Sequence, residues 1–173
     1  RAVDVRIDGF RVERAPEWRG QRVFVRHEVG GKTYELRLSE ESAGTQKLMG
    51  LAAYLMTALE RGGTVVVDEL DAKLHPKLLR YVILLFKDPG VNKSGAQLIF
   101  SSQDVSTMRN DVFRRDEIWF AARGEGEASQ LWSLADIHEA NGNLVSKNAA
   151  FDKQYLSGRY GADPYLTRIE EWD

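Results

Sequence analysis

Two adjacent carboxylates follow a short apolar segment near the middle of the 173-residue chain. Val65, Val66 and Val67 are β-branched and lack polar alternation, which is typical of a strand covered on both faces of a parallel sheet. Asp68 and Glu69 come next, at the carboxyl edge where α/β proteins bind ligands. One carboxylate there suits a Mg²⁺ ion, and the other suits a water that must be oriented or deprotonated. The alternative is that the pair only ends the strand and caps the next turn, since short motifs also arise by chance.

A second candidate is the segment that opens the long apolar stretch at 42–61. This stretch is rich in Leu, Ala and Met, and its apolar residues lie on nearly all sides of the predicted helix, which is typical of a buried helix. At its start, the Ser42 hydroxyl and the free backbone N–H groups around Ala43 and Gly44 suit an anion, which the helix dipole favours. The alternative is an ordinary N-cap by Ser42, with Gly44 tolerated in the first turn.

The third candidate is Gln103, which follows a second apolar strand predicted over 98–102. Its amide can donate a hydrogen bond to a phosphate, but it cannot become cationic or pass a proton as an imidazole does. Asp104 has the simpler interpretation of an N-cap for the turn that follows. His75, which precedes Pro76, is interpreted as a helix-start residue rather than a catalytic one.

The elements around these residues predict one α/β domain. Helices alternate with buried strands, which indicates a mainly parallel sheet with helices and peripheral antiparallel hairpins. The second hairpin is expected to extend that sheet. The predicted elements are a hairpin at 23–29 and 32–38 about Gly30-Gly31, the helix at 42–61, a strand at 64–67, a helix from Pro76 to Pro89-Gly90, a strand at 98–102, a hairpin at 117–121 and 130–134, and a short helix at 151–155.

Composition narrows the class of protein. The chain has a net charge of −2, no cysteine and three dispersed histidines, so it predicts neither a basic nucleic-acid surface, a disulfide framework nor a zinc cluster. The longest apolar stretch, 48–59, is too short to cross a membrane, and the N-terminus lacks a signal-peptide pattern. We expect a cytoplasmic protein without membrane contact, in a single domain over 1–173.

In this order, the motifs resemble the C-terminal half of ATPase heads of the SMC/RecF-like ABC type, over residues 36–134. Gly44-Thr45-Gln46, the segment 70–76 and the segment 158–162 are similar to bacterial AAA family ATPases of abortive-infection or restriction-linked defence. The resemblance implies a P-loop NTPase-like fold and hydrolysis of ATP with Mg²⁺. The implied roles are signature contacts to ATP by Ser42, Ala43, Gly44, Thr45 and Gln46, a Mg²⁺ ligand in Asp68, a general base in Glu69, a D-loop contact in Asp71, and a switch residue in Gln103, where the family usually has His.

The phosphate-binding Walker A motif of such ATPases has no match in this sequence. Gly31-Lys32-Thr33 resembles its last residues, but Arg26 stands where the first glycine is required, and a strand follows instead of a helix. Together with the start at Arg1, this leads us to expect a C-terminal lobe from a longer protein, inactive alone, whose N-terminal lobe carries Walker A. The expected partners are that lobe, a second ATPase head in a homodimer, and an effector nuclease or nucleic acid.

Two other functions remain open at this point. A nucleotide-gated binding or assembly module with little hydrolysis is compatible with Gln103 at the switch position. A metal-dependent nuclease would use Asp68, Glu69 and Asp71 in a two-metal arrangement, although no further His, Lys or Asp stands at a useful spacing.

Overall fold

The structure, a computed structural model, describes residues 5–14, 21–123, 128–139 and 142–162. Short 3-10 turns connect several of the elements in these residues. The strands are β1 (Val5–Arg14), β2 (Gln21–Val29), β3 (Lys32–Arg37), β4 (Thr64–Val67), β5 (Gln97–Phe100), β6 (Trp119–Arg123) and β7 (Ser129–Ser133). The α-helices are α1 (Ala43–Arg61), α2 (Pro76–Lys87) and α3 (Phe151–Leu156).

The first three strands form an antiparallel sheet in the order β1-β2-β3. The predicted hairpin between β2 and β3 is confirmed, with Val29 paired to Lys32 across the turn. Gly30 and Gly31 both have positive φ, 57° and 75°, which is the geometry that two-residue hairpin turns require. The Gly31-Lys32-Thr33 segment is therefore part of this hairpin, as its strand-like continuation predicted.

The second sheet is the predicted parallel pair, in which β4 lies beside β5 with Val67 opposite Phe100. Alternate residues of this pair, such as Val65 and Leu98, pack against α1 and α2 in one hydrophobic cluster. The buried members of that cluster are Leu55, Val67, Leu70, Leu74, Leu79, Val82, Ile83 and Val112. Both helices therefore cover the same face of β4 and β5.

The prediction that β4 is covered on both faces is wrong for the residues the structure describes. Val66 is 73% exposed and its neighbour Ile99 is 56% exposed, because α1 and α2 lie on the opposite face. Helix α1 has close to the predicted length, but the prediction of a buried helix, made from apolar residues on nearly all sides, is also wrong. Leu55 and Ala58 are its buried residues, whereas Tyr54 is exposed. Strand β4 and helix α1 therefore contain more apolar residues than the described elements bury.

The second predicted hairpin forms, but it does not extend the parallel pair. Strands β6 and β7 make a separate two-stranded sheet in which Phe120 lies opposite Trp132. Phe120 stacks on Tyr155 of α3, with ring centroids 5.7 Å apart, and also contacts Tyr160 at 5.4 Å. These aromatic contacts belong to a second hydrophobic cluster, which gives the hairpin its own core.

Tyr160, from the segment 158–162, is a core residue of this second cluster. Its hydroxyl donates a hydrogen bond to Gln154 Oε1 at 2.7 Å. Burial, assisted by the nearby Glu139 carboxylate, raises the pKa of Tyr160 to about 12. The short helix predicted at 151–155 is confirmed as α3, and it supplies Gln154, the hydrogen-bond acceptor of Tyr160.

Within the described residues, no helix combines the length and the apolar character that crossing a bilayer requires.

Candidate functional site

The acidic pair lies at the carboxyl end of β4, beside the residue that follows β5. Ser101 Oγ donates a hydrogen bond to Asp68 Oδ1 and accepts one from the Glu69 backbone N–H at 2.7 Å. The ladder continues past the strands, since Ser101 N–H donates to the Val67 carbonyl at 3.1 Å and Leu70 N–H donates to the Ser101 carbonyl at 3.0 Å. Asp68 and Glu69 are exposed. Asp68 and Glu69 are therefore held in place at this edge of the sheet by hydrogen bonds to Ser101, and both residues remain exposed to solvent.

Glu69 has an unusual backbone conformation for a non-glycine residue. Its φ is 48°, in the left-handed region, where a residue with a Cβ is strained by about 1–3 kcal/mol. Hydrogen bonds fix the peptide groups on both of its sides. The Glu69 N–H is bound by Ser101, and the Glu69 carbonyl accepts from Ala72 N–H at 3.0 Å and from Lys47 Nζ at 2.5 Å. Strain of this kind is common at functional sites, where surrounding contacts must maintain it.

Residues 68–74, here called the acid loop, pack directly against the start of α1. A Cβ built on Gly44 would lie 2.8 Å from the Lys73 carbonyl oxygen, closer than side chains in proteins approach. Lys47, three residues later on the same helical face, donates to the Ala72 carbonyl at 3.0 Å as well as to Glu69. Gly44 is thus required by a close backbone approach, which is a stronger reason than tolerance in a first helical turn.

Ser42 is the N-cap of α1. Its Oγ accepts a hydrogen bond from Thr45 N–H at 3.1 Å and lies 2.9 Å from Thr45 Oγ1. Gln46 turns back along the chain, and its Nε2 donates to the Glu41 carbonyl at 2.8 Å. Ser42, Ala43 and Gln46 are exposed at this end of the helix. The structure thus contains the N-cap, and the same exposed hydroxyl remains the group predicted to meet a phosphate.

Asp71 and Gln103 are brought together, through the backbone of Gln103. The Gln103 N–H donates to Asp71 Oδ2 at 3.2 Å, while Asp71 Oδ1 is buried without a hydrogen-bond partner among the described residues. The Gln103 residue is exposed. Asp104 is the predicted N-cap and accepts from Ser106 N–H at 2.7 Å. His75 is likewise confirmed as the cap of α2, and its Nδ1 accepts from Lys77 N–H at 3.2 Å.

A histidine and a glutamate that sequence analysis did not connect form a close pair beside this site. His27 Nε2 lies 2.5 Å from Glu41 Oε1, and their side chains are only 13% and 8% exposed. Glu41 immediately precedes the cap residue Ser42. The contact therefore links strand β2, which contains His27, to the start of α1. His27 on β2 and Glu41 are separated by a hairpin strand and a turn, and no local pattern identified their contact.

The donor set at β4 suits Mg²⁺ held by one carboxylate. The described residues contain no group of three or more His, Asp or Glu side chains placed to hold a metal ion, and Asp71 directs one carboxylate oxygen to Gln103. The two-metal arrangement of Asp68, Glu69 and Asp71 is therefore not formed. Mg²⁺ commonly takes one or two carboxylates and completes its shell with water and substrate phosphates. Asp68 fits that requirement, because it is exposed and its bond to Ser101 uses one oxygen, Oδ1.

A protein-family model matches more than half of the chain, including the candidate site. A family described as "AAA domain, putative AbiEii toxin, Type IV TA system" matches residues 3–109, which include α1, the acid loop and Gln103. The chain belongs to this AAA-domain family. It is accordingly a domain of the ATPase, nucleotide-binding class, as the sequence resemblance predicted.

A solved SMC ATPase chain, from work on ATP-driven dimerization and DNA-stimulated activation, is also similar. It aligns at a TM-score of 0.49 and 18% identity, over 76% of this chain and 73% of that chain. At this level the similarity concerns the backbone path and says nothing of activity. No curated protein matches the sequence.

Proposed function

We propose that the chain is one lobe of an ABC-type ATPase that binds and hydrolyses ATP at a site completed by dimerisation. One observation carries this proposal. The exposed acidic pair ends β4, is fastened to Ser101 at the end of β5, and lies in a loop packed against the glycine of the signature-like helix start. Membership of an AAA-domain family supports the nucleotide chemistry.

In this function the exposed Asp68 would hold Mg²⁺, and the exposed Glu69 would orient or deprotonate the attacking water. Bound Mg²⁺ would neutralise charge on the phosphate oxygens. The exposed start of α1 supplies the signature contacts, with Ser42 Oγ offered to a γ-phosphate and the helix dipole favouring its charge. Asp71, in the acid loop, contributes the D-loop contact, and Gln103 occupies the switch position as a neutral hydrogen-bond donor.

The proposed partners follow from the surfaces that the site leaves open. The exposed pair Val66 and Ile99 provides an apolar surface on the uncovered side of β4 and β5, which suits packing by a Walker A lobe of the same protein. A second ATPase head in a homodimer would supply the opposing half of each site. The family description names a toxin of a type IV TA system, which supports a role for the ATPase in controlling an effector in bacterial defence.

The test is ATP turnover by the full-length protein with Mg²⁺, comparing wild type with Glu69→Gln. A general base contributes about 10²–10⁴-fold, so turnover is expected to fall by at least about 100-fold while ATP binding is retained. Glu60→Gln, an exposed glutamate near the end of α1, is the matched control and is expected to keep wild-type turnover. Unchanged turnover in Glu69→Gln would remove the general-base role of Glu69, and a wild type that neither binds nor hydrolyses ATP would remove the proposed function.

A second candidate is a nucleotide-gated binding or assembly module, and the observation that favours it is the exposed Gln103, three residues after the end of β5. This side chain cannot carry a proton, so slow turnover would suit a protein that uses ATP as a structural switch. Gln103→His separates the two candidates. A large gain in turnover, from a wild type that dimerises with ATP but hardly hydrolyses it, supports the switch function, and rapid wild-type turnover contradicts it.

A further inference from the structure

Lys47 connects helix α1 to the backbone of the acid loop. Its Nζ lies 2.5 Å from the carbonyl oxygen of Glu69 and 3.0 Å from that of Ala72. The residue is partly buried, and an ammonium group has three N–H donors and so can serve both carbonyls at once. These contacts involve backbone oxygens, which leaves the Glu69 carboxylate exposed and free to act.

Hydrogen bonds on both sides of Glu69 hold the conformation that this residue adopts. With φ at 48°, Glu69 is in a region that residues with a Cβ seldom occupy, and the surrounding contacts must hold it there. Ser101 fixes the N–H on one side of the residue at 2.7 Å, and Lys47 together with Ala72 N–H fixes the carbonyl on the other. If Lys47 is removed, the Glu69 carbonyl keeps the bond from Ala72 N–H but loses its bond to the ammonium, so Glu69 can relax toward an ordinary φ and its Cα–Cβ bond changes direction.

We infer that Lys47 is a positioning residue, which sets the direction of the Glu69 carboxylate by holding its backbone. This inference rests on the proposed function, since it concerns the general base of that reaction. Lys47 itself touches no reacting atom. Its effect on turnover passes through Glu69, so the cost of losing Lys47 exists only while Glu69 is present to be positioned.

The contact between Gly44 and Lys73 allows this role to be separated from a folding role. It joins α1 to the acid loop without using the Lys47 side chain. The acid loop also retains the cluster contacts of Leu70 and Leu74, which are buried. Removing the Lys47 ammonium therefore leaves the apolar packing of the loop in place, and the change falls on the carbonyls of Glu69 and Ala72, which lose this donor.

The experiment measures kcat and KM for ATP in the full-length protein for five variants beside wild type. They are Lys47→Met, Lys47→Arg, Lys77→Met, Glu69→Gln and the double variant Lys47→Met with Glu69→Gln. Lys47→Met is expected to lower kcat by about tenfold, because small misplacements of a catalytic group are costly, with KM within about twofold of wild type. Lys47→Arg keeps donors for both carbonyls and is expected to restore most of kcat. Lys77, an exposed lysine at the start of α2, serves as the control for loss of a charge, and its kcat should not change.

The double variant distinguishes positioning from general damage. If Lys47 acts through Glu69, adding Lys47→Met to Glu69→Gln lowers the residual turnover no further, whereas a structural defect multiplies the two losses.

Lys47→Gln, which keeps a shorter neutral donor, replaces Lys47→Met if that variant does not fold, with the same expected pattern. A Glu69→Gln variant with wild-type turnover ends the general-base role of Glu69 and this inference together, whereas a wild type that neither binds nor hydrolyses ATP ends the proposed function. An inactive Glu69→Gln beside a fully active Lys47→Met ends this inference alone.

Discussion

The hydroxyl of Ser101 donates a hydrogen bond to the carboxylate of Asp68 across the ends of two parallel strands. This contact follows from the register, because Val67 lies opposite Phe100 and the next residue of each strand comes into reach. The same hydroxyl accepts from the Glu69 N–H, so one serine at the end of β5 orders both acidic residues at the end of β4.

Replacing Ser101 with alanine is therefore expected to affect both residues of the pair. The Glu69 N–H and the Asp68 carboxylate each lose a partner, and each such hydrogen bond contributes about 0.5–1.5 kcal/mol to the free energy of unfolding. We predict a fall in this range per bond in urea unfolding, together with lower ATP turnover. Ser39→Ala, at an exposed position before α1, is the control and should change neither quantity. Full turnover in Ser101→Ala would show that the hydroxyl does not order the acidic pair for catalysis.

Gly44→Ala and Gly50→Ala are predicted to have opposite effects on stability, although both lie in α1. Alanine in a helix interior is favoured over glycine by about 0.8–1.0 kcal/mol, and at Gly50 a Cβ would meet no atom within 4 Å. At Gly44 the Cβ would lie 2.8 Å from the Lys73 carbonyl, and overpacking costs about 1–3 kcal/mol. Urea unfolding should show Gly50→Ala to be stabilised and Gly44→Ala destabilised. Equal stabilisation of the two variants would contradict the close approach of α1 to the acid loop.

Tyr160 is predicted to make stability depend on pH in the alkaline range. Its folded-state pKa of about 12 lies above the ordinary value of 10.0, so the neutral hydroxyl contributes stability that is complete below pH 10 and is lost as the pH rises toward 12. Tyr160→Phe should reduce that loss between pH 10 and 12 when unfolding is measured across the range. At pH 7 the variant should lose about 0.5–1.5 kcal/mol, because Gln154 Oε1 loses its donor. The exposed Tyr81→Phe is the matched control, and an identical alkaline slope for both variants would contradict the assignment to Tyr160.

His27 and Glu41 are predicted to support the start of α1 as a coupled pair. Their side chains are largely buried and 2.5 Å apart, and contacting residues of this kind show coupling energies of about 0.5–3 kcal/mol. A double-mutant cycle of His27→Gln and Glu41→Gln, measured by urea unfolding at neutral pH, should give a coupling in this range. Additive effects of the two substitutions would mean that the pair does not act as a unit.

Local signals in the sequence predicted the elements well. Gly30-Gly31 placed the β2–β3 turn because that turn needs positive φ at both residues, and Ser42 marked the start of α1 because its hydroxyl satisfies a free backbone N–H. The same logic placed Asp68 and Glu69 at a strand end. Each of these assignments depends on residues that are close to one another in the chain, so the sequence alone is enough to make it.

The contacts that complete the candidate site could not be predicted in this way. Lys47 reaches Glu69 from 22 residues away, and Ser101 reaches Asp68 from 33. Neither partner is implied by periodicity, since the register of β4 with β5 and the angle of α1 must be known first. The predicted burial of Val66 failed for a related reason, because an apolar pattern reports that a face needs covering without stating which element covers it.

The close approach of Gly44 to the Lys73 carbonyl also changes what the signature-like sequence can be taken to mean. A glycine at this position satisfies a steric demand made by the chain's own loop, whether or not any nucleotide is bound. Its presence in a related sequence is therefore a sign that helix and loop meet in the same way, whereas the proposed contact with a phosphate is assigned to the neighbouring hydroxyl of Ser42. In this short motif, Gly44 reports how the helix packs against the protein's own loop, and a different residue, Ser42, is the one proposed to meet a ligand.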